Sequence, residues 1–241
     1  MGQRQVSHRA AWIGLGAAAS GAAMAYAVRG KSSAIFAPSV YRGVSTRPAI
    51  ALTFDDGPSE STAALLDILG RYCAPATFFQ CGANVRRLPQ VAREVALAGH
   101  EIGNHSDTHA YLFSLTQHRI FEELMQAQET IEQAAGLRPR LFRAPYGARW
   151  FGLREAQRRL GLLGVMWTAI GADWKWTHGR VAALLCRGAR NGAIFCLHDG
   201  RVLQPRPDIS VTLRAVERLL PMLIDKGYHF ERVSDILCPT I

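Results

Sequence analysis

Apolar positions along this chain fall into two alternating patterns. Short continuous runs alternate with longer stretches in which apolar residues recur every three or four positions. The runs, bounded by Gly, Pro or charged residues, predict buried strands over Ala49–Phe54, Ala76–Cys81, His100–Gly103, Arg140–Phe142, Gly164–Ile170, Ala193–Leu197 and Tyr228–Arg232. The striped stretches predict helices over Ser59–Tyr72, Leu88–Ala98, Thr116–Ala135, Gly152–Leu160, His178–Ala189 and Ile209–Lys226, with a short closing helix at Val233–Leu237. Pro89 in a first turn and Gly99 and Gly136 just past helix ends agree with this division. Pro221 is expected to kink or divide the helix that contains it.

Repeated strand-then-helix units imply a parallel sheet with helices outside it. About seven such strands suggest a closed or nearly closed α/β barrel. In barrels of this kind, reactive residues follow strands at their C-terminal ends.

The segment before Ala49 reads differently. Met1–Arg9 is polar and basic, and Ala10–Val28 is an uncharged stretch rich in Ala and Gly, closed by Arg29 and Lys31. This predicts a signal peptide or membrane anchor over 1–30, a linker over 31–47, and a single folded domain over 48–237. The domain is expected to be exported, or anchored with its bulk outside the cytoplasm, touching a membrane only through the N-terminal segment.

The net charge of +9 changes the picture little, because residues 1–47 carry six basic side chains and no acid, leaving +3 for the rest. No nucleic-acid signature accompanies it, and no nucleic-acid partner is expected. The five cysteines are scattered, with no CxxC pair, and read as buried free thiols rather than a disulfide framework.

Chemistry gathers where the barrel rule puts it. The strand Ala49–Phe54 runs into Asp55-Asp56-Gly57-Pro58, and two carboxylates at a buried strand end need neutralising. A solvated turn would also suit Asp-Gly-Pro. After His100–Gly103 come His105 and His109, four residues apart, which lie on one face if the loop turns helically. A carboxylate with two imidazoles suits Zn²⁺ or a similar divalent ion and leaves open positions for water and substrate. Arg143 follows the next strand and could fork onto a carboxylate. Asp173-Trp174 and His198-Asp199 follow the two after that.

The stretches TFDDGP (53–58), HSDTH (105–109), RAPYG (143–147), DW (173–174) and LHD (197–199) occur in the order found in the polysaccharide deacetylase family, the NodB homology domain of carbohydrate esterase family four, which this chain resembles over roughly residues 48 to 237. The resemblance implies a distorted (β/α)7 barrel, similar to a TIM barrel, and removal of N-acetyl groups from a GlcNAc-containing polysaccharide or oligosaccharide, of chitooligosaccharide or peptidoglycan type. It implies a divalent metal, Zn²⁺ or Co²⁺, on Asp56, His105 and His109. It assigns Asp55 as base, Arg143 as its orienting partner, His198 as acid and Asp173 as the residue that tunes it. The backbone N–H of Tyr146 would help hold an oxyanion, and Trp174 and Leu197 would line the acetyl pocket.

Two positions depart from the family's pattern. Ile170 stands where an acid three residues before the DW acid is usual, and Cys196 where an aliphatic residue is common. Ile170 removes a polar group beside the Asp173–His198 pair but costs no proposed ligand. Hydrolysis of another C–N bond, such as a deformylation or the opening of a cyclic amide, and a non-catalytic carbohydrate-binding relative are the alternatives.

Overall fold

The computed structural model describes residues 20–238. The alternation predicted from the sequence is present. In chain order the elements are helix α1 (residues 20–29), β1 (Ser39–Val40), β2 (Ala49–Gly57), α2 (Thr62–Arg71), β3 (Ala76–Gln80), α3 (Gly82–Arg87), α4 (Pro89–Leu97), β4 (Glu101–Asn104), α5 (Gln117–Ala135) and β5 (Leu141–Phe142). They continue with α6 (Leu153–Leu160), β6 (Leu163–Val165), β7 (Ala169–Ile170), α7 (His178–Arg187), β8 (Ala193–His198), α8 (Ser210–Ile224), β9 (His229–Phe230) and α9 (Val233–Leu237).

The strands form one sheet in the order β1-β6-β5-β4-β3-β2-β8-β7, with β9 beside β2, and every strand pair is parallel. The single strand expected over Gly164–Ile170 is two strands, β6 next to the β1 end of that order and β7 at the other end. Val165 pairs with Val40, whereas Ala169 pairs with Phe195. Four steps of chain separate Val165 from Ala169, a span of at most about 14 Å. The two ends of the sheet therefore curl to within that distance of each other without a shared ladder. The result is a distorted barrel, nearly closed.

Strand alternation sorts the core into two layers. Ala49, Ala51, Phe79, Val165 and Ile194 point inward, joined by Val233 and Ile236 of α9, which fill the end of the barrel away from the strand C-termini. Ile50, Leu52, Phe54, Phe78 and Phe195 point outward under α2, α4, α7 and α8. With one end filled by α9, the opposite end is left for a site.

Helix α8 is continuous through Pro221 rather than divided. The carbonyl left without a donor is that of Glu217, on the exposed side of the helix, where solvent can take it. Helix α3 is an addition. It is short and polar, so its sequence carries no apolar stripe.

Of the segment expected as a signal or anchor, residues 1–19 lie outside the described residues. No helix among the described residues is long and apolar enough to cross a membrane. The stretch expected as a linker is packed on the barrel. Phe36 and Ala37 are buried, β1 extends the sheet, and Lys31 Nζ donates to Thr168 O at 2.7 Å. The buried Arg149 guanidinium donates to the carbonyls of Val28, Gly30 and Ser33, gripping the end of α1.

Candidate metal and catalytic site

Two adjacent carboxylates on a regular strand point to opposite faces. Here both reach the same cavity because β2 ends in a bulge. Its register against β3 shifts between Asp55 and Gly57, and Asp56 takes a left-handed backbone (φ 70°). Asp55 keeps its inward place in the ladder, opposite His198 of β8. Gly57 follows with the Asp199 carboxyl standing where a Cβ would be, so no side chain fits there. Burial pushes that Asp199 carboxyl up to about 7, with Thr62 Oγ1 donating to it at 2.7 Å.

The HSDTH loop is not helical. His105 and His109 meet instead through left-handed turns at Ser106 (φ 63°) and His109 itself (φ 57°), with ring centroids 5.0 Å apart. Asn104 Oδ1 accepts from Ser106 N at 2.8 Å, and Ser106 Oγ accepts from His109 N at 3.1 Å. Glu123 of α5 takes the N–H groups of Asp107 and Thr108 on one oxygen and the Thr108 hydroxyl on the other. Arg86 of α3 forks onto Asp107 with two 2.7 Å bonds. His105 Nδ1 lies 2.8 Å from the Arg143 carbonyl, which can only accept. Nδ1 therefore carries a proton, and Nε2 faces the site.

The three side chains converge. Asp56 Oδ1 lies 3.4 Å from His105 Nε2 and 3.0 Å from His109 Nε2, all three residues are buried, and their ligand atoms lie within 4.8 Å of one another. Ligands about 2.0–2.1 Å from a tetrahedral ion stand about 3.3 Å from each other, so the set fits a divalent cation. Burial alone would push the Asp56 carboxyl up, but the hydrogen bonds of His105 and His109 outweigh it and hold the group well below the usual range. Asp56 is thus a carboxylate ready to ligate.

On the other wall Arg143 is fully buried and donates from one nitrogen to Asp55 Oδ1 and Thr53 Oγ1, both at 2.6 Å. Its guanidinium lies 4.1 Å above the Phe79 ring. Cys196 donates to Asp55 Oδ2 (3.4 Å), and burial, with the Asp55 charge behind it, holds that thiol well above its ordinary value. His198 Nδ1 lies 2.8 Å from Asp173 Oδ1. Asp173 Oδ2 accepts from the His198 backbone N–H at 3.0 Å and from Thr212 Oγ1 at 2.5 Å. Burial disfavours charge on His198, but the Asp173 hydrogen bond and the surrounding carboxylates prevail and raise it to about 9. Asp173 itself, despite burial, is lowered by the same pair. Its two oxygens are held without the acid that Ile170 replaces.

Both walls line one cavity of about 770 Å³, with Tyr146, Trp167, Ile170, Trp174 and the loop from Arg201 to Gln204 around it. Trp174 is half exposed and stands edge-on to His198, ring centroids 4.9 Å apart. Tyr146 sits in a left-handed turn (φ 57°) between the His109 ring at 4.6 Å and the Tyr111 ring, stacked at 4.0 Å. Leu197 is the exception among the expected residues. It is fully buried in the outer core with Phe54 and Val181, because Cys196 and His198 on either side of it point inward. Cys196 and Ile170 line the cavity in its place. Among the contributors that escaped the sequence reading are Tyr111, Thr212 and Glu123. Of these, only Glu123 left a signal, an acid on the apolar stripe formed by Ile120, Leu124 and Ala127.

The geometry has counterparts among known proteins. The sequence profile of the polysaccharide deacetylase family matches residues 42–165. A peptidoglycan-N-acetylglucosamine deacetylase of Bacillus cereus is 33% identical over 192 residues, 78% of this chain and 87% of that protein. A chitooligosaccharide deacetylase of Bradyrhizobium is 33% identical over 205 residues, covering 81% of this chain and 94% of the other. Among solved structures, a CE4 family pseudoenzyme from Bacillus anthracis superposes with a TM-score of 0.76 at 26% identity, over 85% of this chain and 70% of that one. A curled parallel barrel with acids, imidazoles and a buried arginine at its strand ends, matched by profile, sequence and structure alike, makes this chain a member of the polysaccharide deacetylase family.

Proposed function

We propose that the protein is a metal-dependent hydrolase that removes N-acetyl groups from a GlcNAc-containing glycan, of peptidoglycan or chitooligosaccharide type. The observation that carries this reading is the meeting, in one cavity, of an Asp-His-His ligand set with a carboxylate held by Arg143 and an imidazole held by Asp173. Asp56, His105 and His109 would hold the cation, for which Zn²⁺ suits the two imidazoles and one carboxylate best. Bound there, a divalent ion polarises an acyl oxygen and lowers the pKa of a water molecule.

The remaining work falls to this chain's own side chains. Asp55 Oδ2 faces the cavity as the proton acceptor, while Arg143 fixes the orientation of the carboxylate through Oδ1. The Tyr146 backbone N–H would steady the charge that develops on the carbonyl oxygen, a contribution of about 3 kcal/mol for such a donor. An amine leaves only when protonated. His198, protonated below about 9 and aimed by Asp173, delivers that proton to the departing nitrogen. Trp174 and Tyr146 offer apolar faces to the sugar and acetyl group. A basic start followed by an uncharged stretch supports export or membrane anchoring, with the catalytic domain outside the cytoplasm.

A second reading, a glycan-binding relative without turnover, is favoured by two observations: Ile170 in place of an acid, and the fold shared with a pseudoenzyme. The test is acetate release from chitooligosaccharides and peptidoglycan, with and without a chelator and with Zn²⁺ or Co²⁺ restored. Metal-dependent acetate release is the expected result. Glycan binding without acetate at any metal load supports the second reading. Release of formate, or opening of a cyclic amide, in place of acetate would move the activity to another C–N bond.

A further inference from the structure

The same cavity contains a second set of converging ligand atoms. We propose that Asp55, Cys196 and His198 form a site for a thiophilic divalent cation, such as Zn²⁺ in excess or Cd²⁺, separate from the Asp56–His105–His109 set, and that its occupation shuts the enzyme off. The ligand atoms of the three residues lie within 4.8 Å of one another, and all three side chains line the cavity.

Asp55 and His198 each have one ligand atom already fixed elsewhere and one left over. Arg143 holds Asp55 Oδ1, leaving Oδ2, which the Cys196 thiol approaches at 3.4 Å. Asp173 holds His198 Nδ1, leaving Nε2, the arrangement in which a carboxylate commonly backs a metal-binding imidazole. Cys196 and His198 lie two residues apart on β8, both facing inward, and β2 sets Asp55 directly opposite His198. The set therefore stands on paired strands, which hold geometry better than loops.

An oxygen, a sulfur and a nitrogen from one carboxylate, one thiolate and one imidazole suit Zn²⁺ and its heavier congeners and serve Mg²⁺ or Ca²⁺ poorly. The exchange balances without redox chemistry. The Sγ–H and Nε2–H protons leave to solvent, and a metal–sulfur and a metal–nitrogen bond replace them beside the carboxylate bond. The group proposed to accept a proton and the one proposed to donate it are then both tied up. Cys196 is the residue that makes this possible, since an aliphatic residue at that position offers no ligand.

The inhibitory consequence rests on the deacetylase reading, whereas the ion count does not. The experiment titrates the full chain, stripped of metal, with Zn²⁺ and with Co²⁺, alongside Cys196→Val and Cys196→Ser. Elemental analysis is expected to give two ions per wild-type chain and one per Cys196→Val chain, and the retained ion certifies that the variant is folded. Cobalt should show sulfur-to-metal charge-transfer absorption only on the second equivalent, and only in the wild type. Acetate release should fall roughly tenfold or more between one equivalent and an excess of Zn²⁺ in the wild type, and stay level in Cys196→Val. A single ion in the wild type, a second ion without the charge-transfer band, or equal zinc inhibition in Cys196→Val would overturn the proposal. Absence of acetate release even at one equivalent would count against the deacetylase reading alone and leave the ion count and the spectrum to decide the second site.

Discussion

The two walls of the cavity are held in place by different means. On the ligand wall, Asp56, Ser106 and His109 all adopt left-handed backbones, at φ 70°, 63° and 57°. Side chains of Asn104, Ser106 and Glu123 hold the loop they form by its backbone N–H groups. On the facing wall Asp55 and His198 stand in ordinary strand register, and Arg143 and Asp173 aim them from neighbouring segments. The first wall is built by local strain held by many small bonds, and it departs nowhere from the family's motif. The second is built by the sheet itself, and it contains both departures, Ile170 and Cys196. A wall that the sheet positions can change a lining residue without moving its reactive groups.

That contrast can be broken from either side. The largest effect is expected from His105→Ala. It should abolish metal retention, a loss well beyond the roughly 10–100-fold that changes to groups behind a ligand produce, and activity should go with it. Elemental analysis after dialysis checks this, and full occupancy in the variant would refute the ligand assignment. Asp55→Asn should act on the other wall alone. The ion at the Asp56 set stays, while turnover falls by about 10²–10⁴-fold, the range typical of a lost general base. Acetate release measured at known metal content separates the two variants, and unchanged turnover would remove Asp55 as base.

The smallest effect concerns Asp173→Asn in the metal-free protein. His198 is raised from 6.5 to about 9 because the fold favours its charged form. The stabilisation that goes with this is complete below pH 6.5 and is lost as pH rises through about 9. The variant should titrate closer to 6.5 by ¹⁵N NMR, and its stability deficit should shrink as pH rises across that interval. An unmoved titration would mean that Asp173 does not govern the imidazole.

Much of the fold was legible because strand and helix periods differ and because Gly and Pro punctuate them. The ligand wall was legible because its residues sit in short contiguous motifs. What stayed hidden depended on direction. Leu197 lies between two inward residues of β8, and a one-residue step on a strand sends it to the other face. The bulge that turns Asp56 toward Asp55's side leaves no mark beyond the following glycine. The 164–170 stretch reads as one strand because only Thr168 interrupts its apolar run, whereas Met166–Thr168 in fact crosses the gap between the sheet's two ends. Thr212 and Tyr111 reach the site from distant segments, and no local pattern announces them.

The grip of Arg149 on the carbonyls of Val28, Gly30 and Ser33 has a consequence for how the protein meets a polymer. A domain on a loose string can swing and sample many headings. One whose leading helix is bolted to its flank keeps a set bearing between the point where the upstream chain departs and the mouth of the cavity. If that upstream stretch is held at a surface, only strands passing at a fixed height and angle come within reach, and the pattern of modified sugars would follow from that posture.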